Sequence, residues 1–442
     1  MTISRVCIAV AIMLTAAGLN AVAQSPPKYK GNCTDAGCHD GYARKPVVHD
    51  PVSQDSCDAC HEEKDTAQHK FEFAEDAAEL CESCHDEQES KVRHDPAANG
   101  ECVACHDPHA SDTKNLLRAR TDAELCGECH DEVTEDLAYL HGPVAAGACT
   151  VCHDPHGSDH SAMLLAPEKD VCEGCHTRMQ ARIQGETVKH APAGEGCTSC
   201  HNPHGADNRM NLTEEAPELC VDCHDDIGDL MEEANVTHDA LTTGRSCANC
   251  HDPHASNVGG LLLAESMDLC LSCHDKPLNS GDGELSDIKA LLAENKNHHG
   301  PIQQQDCSGC HTAHGGEHFR LLTEAYPAEF YAPFAEERYA LCFDCHESDL
   351  VKEAETDEAT NFRNGEQNLH HLHVHRTPKG RTCRACHSTH ASRQPRHIAE
   401  SVRFASWDLP LNFQKTETGG ACQPGCHRLY RYDRTSVIAN VR

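Results

Sequence analysis

Apolar residues in this chain come singly or in doublets, almost never in the runs or periodic stripes that build an ordinary core. The exception is at the start. Residues 6–19 are mostly apolar, follow Arg5, and lead to Ala21-Val22-Ala23, a small-x-small cleavage site. Residues 1–23 therefore read as a secretory signal peptide, with an apolar run too short for a membrane anchor. No later stretch is apolar enough for long enough to cross a bilayer. The remaining apolar residues recur at fixed places. Leu80, Leu125, Val171, Leu219, Leu269 and Leu341 each stand just before a cysteine, and clusters fall at Leu116-Leu117, Leu164-Leu165, Leu261 to Leu263 and Leu321-Leu322. Asp-Pro and Gly turns separate them. The pattern predicts mostly coil with short α-helices, somewhat longer ones over residues 122–140, 227–234, 285–295 and 328–340, and no sheet.

Composition sharpens this. The chain has 31 cysteines, one Trp and only 4% aromatic residues. Such side chains are too polar to fill a core, so a non-protein group must supply apolar surface. The cysteines say which. Cys149, Cys152 and His153 form Cys-x-x-Cys-His, the attachment signature of c-type haem. On one helical turn, two thiols and an imidazole at this spacing share a face, where they can hold a porphyrin and its iron together.

The signature repeats in pairs: Cys57/Cys60/His61 with Cys81/Cys84/His85, then Cys102/Cys105/His106 with Cys126/Cys129/His130. His153's site pairs with Cys172/Cys175/His176, Cys197/Cys200/His201 with Cys220/Cys223/His224, and Cys247/Cys250/His251 with Cys270/Cys273/His274. Two wider pairs follow, Cys307/Cys310/His311 with Cys342/Cys345/His346, and Cys383/Cys386/His387 with Cys422/Cys426/His427. The first site, Cys33/Cys38/His39, and the last, with Pro424 and Gly425 inside, have longer spacers; a disulfide or a Cys/His metal site is their alternative reading. Fifteen covalent haems would use thirty cysteines and leave only Cys7, inside the signal segment. The expected organisation is a signal peptide (1–23), a single-haem segment (24–46), five two-haem repeats (47–297) and two divergent ones carrying four haems (298–442). It amounts to an elongated array of two-haem units organised by the haems.

Of 36 histidines, fifteen are proximal, leaving 21. One lies seven to nine residues before each pair: His49, His94, His141, His190, His238, His299 and His375. Six more stand three residues past a proximal histidine: His109, His156, His204, His254, His314 and His390. In the first pair His69 is the substitute. These fourteen are candidate distal iron ligands, and a fifteenth must come from His160, His298, His318, His370, His371, His373 or His397. The few methionines cannot serve generally, so bis-histidine ligation and low potentials are expected. A histidine three residues past its proximal neighbour sits beside its own attachment turn, so it is expected to ligate an adjacent haem.

The formal charge of −34, to which haem propionates would add, argues against nucleic acid and against an anionic substrate. These residues resemble the multihaem c-type cytochromes with doubled Cys-x-x-Cys-His motifs of metal-reducing and related bacteria. The matching pieces are His49-Asp50-Pro51, His94-Asp95-Pro96 and His141-Gly142-Pro143, the Cys-His-x-Pro-His segments, and the tail GGACQPGCHRLYRYDR. The resemblance implies an exported protein that carries electrons through the periplasm, across an outer-membrane porin, or to extracellular acceptors. Its partners would be that porin, further cytochromes or other redox proteins. Departures are the missing third-residue histidine in the first pair, the variants His190-Ala191-Pro192 and His238-Asp239-Ala240, and the long C-terminal spacings. Two other readings stay open. One is a reductase of a small nitrogen or sulfur oxyanion at one open-site haem, best placed among Arg376, Lys379, Arg381, Arg384, Arg393 and Arg396. The other is metal storage by the run His370–His375.

Overall fold

The computed structural model describes residues 32–35, 37–65, 68–86, 89–280 and 283–440, so the signal segment and Cys7 lie outside the described residues. The chain divides into two compact units. One holds the residues up to Glu135 together with His141–Pro167, and the other Asp136–Leu140 together with everything from Glu168.

The expectation of no sheet is overturned. Small antiparallel sheets run through both units, most of them two strands of two residues. In the first unit Val47–Val48 pairs with Ala110–Ser111, and Val92–Arg93 with Gly157–Ser158. In the second, Tyr139–Leu140 pairs with Gly205–Ala206, Val188–Lys189 with Ala255–Ser256, Val236–Thr237 with Gly315–Gly316, and Asn297–His298 with Ala391–Ser392. A two-residue strand carries no alternation, and its partner lies more than sixty residues away, so no local pattern announces it. Each pairing joins the segment before an upstream histidine to the segment after a third-residue histidine. Longer hairpins appear where the repeat breaks down, at His61–Asp65 with Lys70–Phe73 and at Ser401–Phe404 with Trp407–Pro410. The tail forms a three-stranded sheet of Gln414–Lys415, Gly419–Cys422 and Tyr430–Asp433.

The helices are short, as the pattern implies, but not all fall where expected. Asp225–Glu233 and Ile288–Glu294 match two of the longer ones. The first is cut back to Asp122–Cys126, opened by a capping box of Thr121 and Glu124 and ended by the attachment turn itself. The last is replaced by a 3-10 turn at Glu336–Tyr339 and a helix at Ala340–Phe343, because Pro327 and Pro333 interrupt what precedes them. Each upstream histidine N-caps a short helix or turn, most with Pro in the first helical positions, as in Asp50–Ser53 and Gly300–Gln303, except His375, which ends the helix Leu369–Val374. The buried apolar set is sparse. Small residues such as Ala110, Ala255 and Ala391 fill the strand crossings, while Tyr326, Tyr339, Val374, Val402 and Leu411 give the C-terminal part a more ordinary interior.

Candidate haem-binding sites

The attachment turn closes through a common backbone bond. At most regular sites the proximal histidine N–H donates to the carbonyl of the first cysteine, at 2.9–3.1 Å from His85 to His387. Most first members wind as 3-10 turns such as Cys102–Ala104, those at Cys197 and Cys307 being plain turns, and second members at regular sites close a helix such as Ala77–Glu82. The longer first site still closes on its first cysteine, His39 N–H to the Cys33 carbonyl at 3.1 Å. The last does not: His427 N–H reaches Pro424 instead, at 3.3 Å. None of the thirty described cysteines is joined in a disulfide.

The thirty thiols are not equally covered. Cys84, Cys129, Cys175, Cys223, Cys273 and Cys345, the second cysteines of second members, are exposed, and so are Cys426 in the last site and both Cys33 and Cys38 in the first. The other attachment cysteines are half-buried. The difference lies in what returns to cover the turn. In first members a later segment folds back onto the second cysteine, whose carbonyl accepts a backbone N–H: Arg118 to Cys105, Leu165 to Cys152, Thr213 to Cys200, Leu263 to Cys250, Thr323 to Cys310 and Ala399 to Cys386, at 2.9–3.0 Å. In second members the second cysteine lies past the end of its short helix, as Cys84 does beyond Ala77–Glu82 and Cys345 beyond Ala340–Phe343. These exposed thiols keep their place in the attachment turn, so haem edges there should meet solvent more than those at first members.

The histidines then fall into facing pairs. A metal–imidazole nitrogen bond is about 2 Å, so two imidazoles on opposite sides of one metal ion hold their ring centres about 6 Å apart. In the first unit His39 faces His69 at 6.3 Å, His49 faces His85 at 6.0 Å, and His61 faces His109 at 6.0 Å. His94 faces His130 and His106 faces His156, both at 6.0 Å. In the second unit the pairs are His190–His224, His201–His254, His238–His274, His251–His314, His299–His346 and His311–His390, at 6.0–6.3 Å. The planes of all these pairs lie within 27° of parallel. Two rules cover the regular repeats. An upstream histidine faces the second proximal histidine of its own repeat, and a third-residue histidine faces the first proximal histidine of the repeat before. His141, His153, His176 and His204 hold the corresponding places in the sequence.

Ring orientation is fixed from behind. Nδ1 of His106, His201, His251, His311 and His387 donates at 2.7–3.0 Å to the carbonyl nine residues on. That carbonyl is aimed by a left-handed pair such as Asn115-Leu116 or Arg320-Leu321. Nδ1 of the upstream His49, His94 and His190 donates to Pro108, Pro155 and Pro253, each at 2.8 Å. A carbonyl only accepts, so Nδ1 carries the proton and Nε2 keeps a lone pair for the gap, as a metal ligand requires. Burial lowers several of these imidazoles, His390 to about 4, which keeps them neutral. The third-residue histidines are steered by the residue after the proximal one: Asp107, Asp154, Asn202 and Asp252 each accept from the N–H two residues on, at 2.9–3.0 Å. Neither the left-handed carbonyl nor this Asx turn was singled out from sequence; the Leu clusters and the repeated Asp or Asn were their traces.

The two kinds of distal candidate are tied by backbone. His49 N–H donates to the His109 carbonyl at 2.9 Å, and His94 does the same to His156, His190 to His254, His238 to His314 and His299 to His390. Thiols of sites consecutive in the chain interact. In the first unit Cys57 meets Cys33, Cys81 meets Cys60 and Cys102, and Cys126 meets Cys105 and Cys149. In the second, Cys197 meets Cys172, Cys220 meets Cys200 and Cys247, Cys270 meets Cys307, Cys342 meets Cys310 and Cys383, and Cys386 meets Cys422 and Cys426.

An acid on the helix of a second member also holds the next attachment turn. Asp122 accepts from Thr150, and Glu168 accepts from the N–H groups of Cys197 at 2.6 Å and Thr198 at 2.9 Å. Burial alone would raise the Glu168 carboxyl, but these donors outweigh it and hold it below the ordinary value. Its contribution is therefore whole above the unfolded carboxyl value of about 4.3 and lost as pH falls through the depressed folded one. Glu168→Gln should cost about 1–3 kcal/mol at neutral pH, nearer the lower figure because the site is half-exposed. Denaturation followed by haem absorbance should show the gap between variant and wild type closing below about pH 4.

His375 is the exception among the fourteen distal candidates. Its ring lies on His371 at 4.1 Å and Phe334 at 4.3 Å, and its Nε2 bonds to the Val351 carbonyl at 3.1 Å. The ring opposite His387 is that of His370, at 6.4 Å and 25°. His298 bonds to the Leu292 carbonyl, and His397 meets His299 edge-on at 5.4 Å.

This donor set fits haem iron. Two facing imidazoles meet at each gap, and no group of three or more His, Cys, Asp or Glu side chains gathers as a metal cage among the described residues. The other four positions on such an iron belong to the porphyrin. A family model described as the doubled CXXCH motif matches residues 49–90, 94–135, 141–181, 190–229, 238–278 and 299–350, more than half of the chain. No curated protein matches the chain.

Proposed function

Because the chain belongs to the doubled CXXCH motif family, and so is a multihaem c-type cytochrome that binds haem c covalently, we propose that it conducts electrons along fifteen bis-histidine haems. Haem c supplies an iron that cycles between ferric and ferrous. The six matched motif pairs account for twelve sites; Cys33/Cys38/His39, Cys383/Cys386/His387 and Cys422/Cys426/His427 make the rest of the proposal. The facing imidazoles carry this reading: where a histidine stands on each side of the gap, as at His61–His109 and His299–His346, no coordination position is left for a substrate. Within each unit the interacting thiols support an order of sites that follows the order of the chain.

The place of work is the periplasm, against the outer membrane or beyond it, with an outer-membrane porin or a further cytochrome as partner. No helix among the described residues is long and apolar enough to cross a membrane, so contact with such a partner falls to the surface. Charge supports a directional contact. From Arg363 to Arg442 thirteen basic residues outnumber five acidic ones, although the whole chain is strongly acidic.

The test is a haem count and a gas titration. The purified holoprotein should give fifteen haems by pyridine haemochrome, and after full reduction its spectrum should not change under carbon monoxide. A count near twelve would remove the three unmatched sites. A carbon-monoxide shift at one haem would favour the oxyanion reductase.

A further inference from the structure

The pairing rules leave an end to be closed. Each first proximal histidine takes its facing ring from the repeat that follows, as His251 does from His314 and His311 from His390. Past His390 no further histidine stands three residues after a proximal one, Tyr430 holding that place in the site of His427, so none is at hand for His387. Nor does the sheet pairing that fixes an upstream histidine exist for it, and His375 turns away. One short helix, Leu369–Val374, stands in the gap.

We infer that this helix caps the array, with His370 and His373 as the iron ligands opposite His387 and His427. The assignment rests on the bis-histidine reading above. His370 and His373 are one turn apart and share a face. The His370 ring faces His387 at the same spacing and tilt as the pairs of the regular repeats. Its Nδ1 is engaged by Thr360 Oγ1 at 3.0 Å, leaving Nε2 for the gap. His373 gives its Nδ1–H to the Leu369 carbonyl at 2.7 Å. Its ring stacks at 5.9 Å on Phe362, which packs edge-on against Tyr432 at 5.0 Å, on the strand paired with Cys422. On the same strand Tyr430 stacks on the His427 ring at 4.7 Å, and the His427 Nδ1 is held by the Arg428 carbonyl at 2.6 Å.

The helix is anchored where it starts. The buried Asn368 accepts from the His371 N–H at 3.2 Å and donates to the carbonyls of Leu350 at 3.1 Å and Glu353 at 2.9 Å. His375 is turned elsewhere, its ring lying on His371 and Phe334 and its Nε2 engaged by the Val351 carbonyl. The Val351 carbonyl can only accept, so the Nε2 facing it carries a proton and has no lone pair for iron.

The test uses the full-length holoprotein and its ferric spin state. Wild type should be wholly low-spin by electron paramagnetic resonance. His370→Ala and His373→Ala should each convert one haem to high spin, the double variant two, and added imidazole should return each to low spin. His375→Ala should match wild type. Unchanged haem counts and far-ultraviolet circular dichroism would separate ligand loss from misfolding. A low-spin His370→Ala or His373→Ala protein, or a high-spin haem in His375→Ala, overturns the cap assignment alone. A high-spin haem already present in wild type overturns the bis-histidine reading beneath it.

Discussion

Replacing His156 by alanine should convert one haem to a high-spin, carbon-monoxide-binding state, and that haem should be the one attached at Cys102 and Cys105. The nearer site in sequence, at Cys149 and Cys152, should stay low-spin. The geometry leaves little choice. His156 faces His106 at 6.0 Å with the planes 11° apart, and its N–H is held by Asp154 at 3.0 Å. Its carbonyl takes the His94 N–H at 3.1 Å, and the His94 ring faces His130. Alanine at 156 keeps that backbone bond, so the effect should stop at one iron. Location follows from a second change. Removing the attachment cysteines 102 and 105 in the His156→Ala background should abolish the carbon-monoxide signal, because the affected haem is then missing. Removing 149 and 152 instead should leave the signal in place. The opposite result would mean that the third-residue histidine serves its own haem, and the pairing rule would fall.

What could be read from the sequence tracks the distance over which each feature is encoded. Cys-x-x-Cys-His is written in five consecutive residues, and its turn closes through a bond from His153 N–H to the Cys149 carbonyl. The periodic histidines were visible because the repeat copies them. Which ring each one faces was not, because His109, which faces His61, is held against the preceding repeat by strands of two residues that carry no alternating pattern. The same blindness produced the expectation of no sheet. It also hid the contrast between half-buried Cys105 and exposed Cys129, since the signature is the same and only the segment returning through Arg118 differs. His375 shows the converse. Its place before Cys383 follows the repeat, but what holds an upstream histidine is the next repeat's strand, as Ala391–Ser392 holds Asn297–His298. The residues before His375 form the helix Leu369–Val374 and not a paired strand, so sequence register no longer specifies position, and His370 takes the ring opposite His387. The helix expected over residues 122–140 failed for a different reason. Its start is well signalled by Thr121 and Glu124, but the attachment turn at Cys126–His130 consumes the backbone that would have continued it.

The strand crossings give the second large effect, because each one positions two rings. Ala255 is fully buried and pairs with Lys189; just before it, the His254 carbonyl takes the His190 N–H at 3.0 Å, and the Pro253 carbonyl takes His190 Nδ1 at 2.8 Å. His254 faces His201 and His190 faces His224, both at 6.1 Å. A larger side chain at 255 has no space, and overpacking of this kind costs about 1–3 kcal/mol where the surroundings can shift. Here the cheapest shift is to pull the short paired strands away from each other, which carries both rings off their gaps. Ala255→Leu should therefore give two high-spin haems, at the sites of His201 and His224, where His254→Ala should give one. Ala255→Gly should give none, since Gly157, Gly205 and Gly315 occupy the equivalent position in other repeats. Counting high-spin haems by electron paramagnetic resonance in the three variants decides the matter. A single affected haem in Ala255→Leu would mean that the two distal histidines are held independently. Two would mean that each crossing works as one clamp on a pair of irons, so that the least conspicuous residue of the repeat, a buried alanine, controls more of the electron path than either histidine alone.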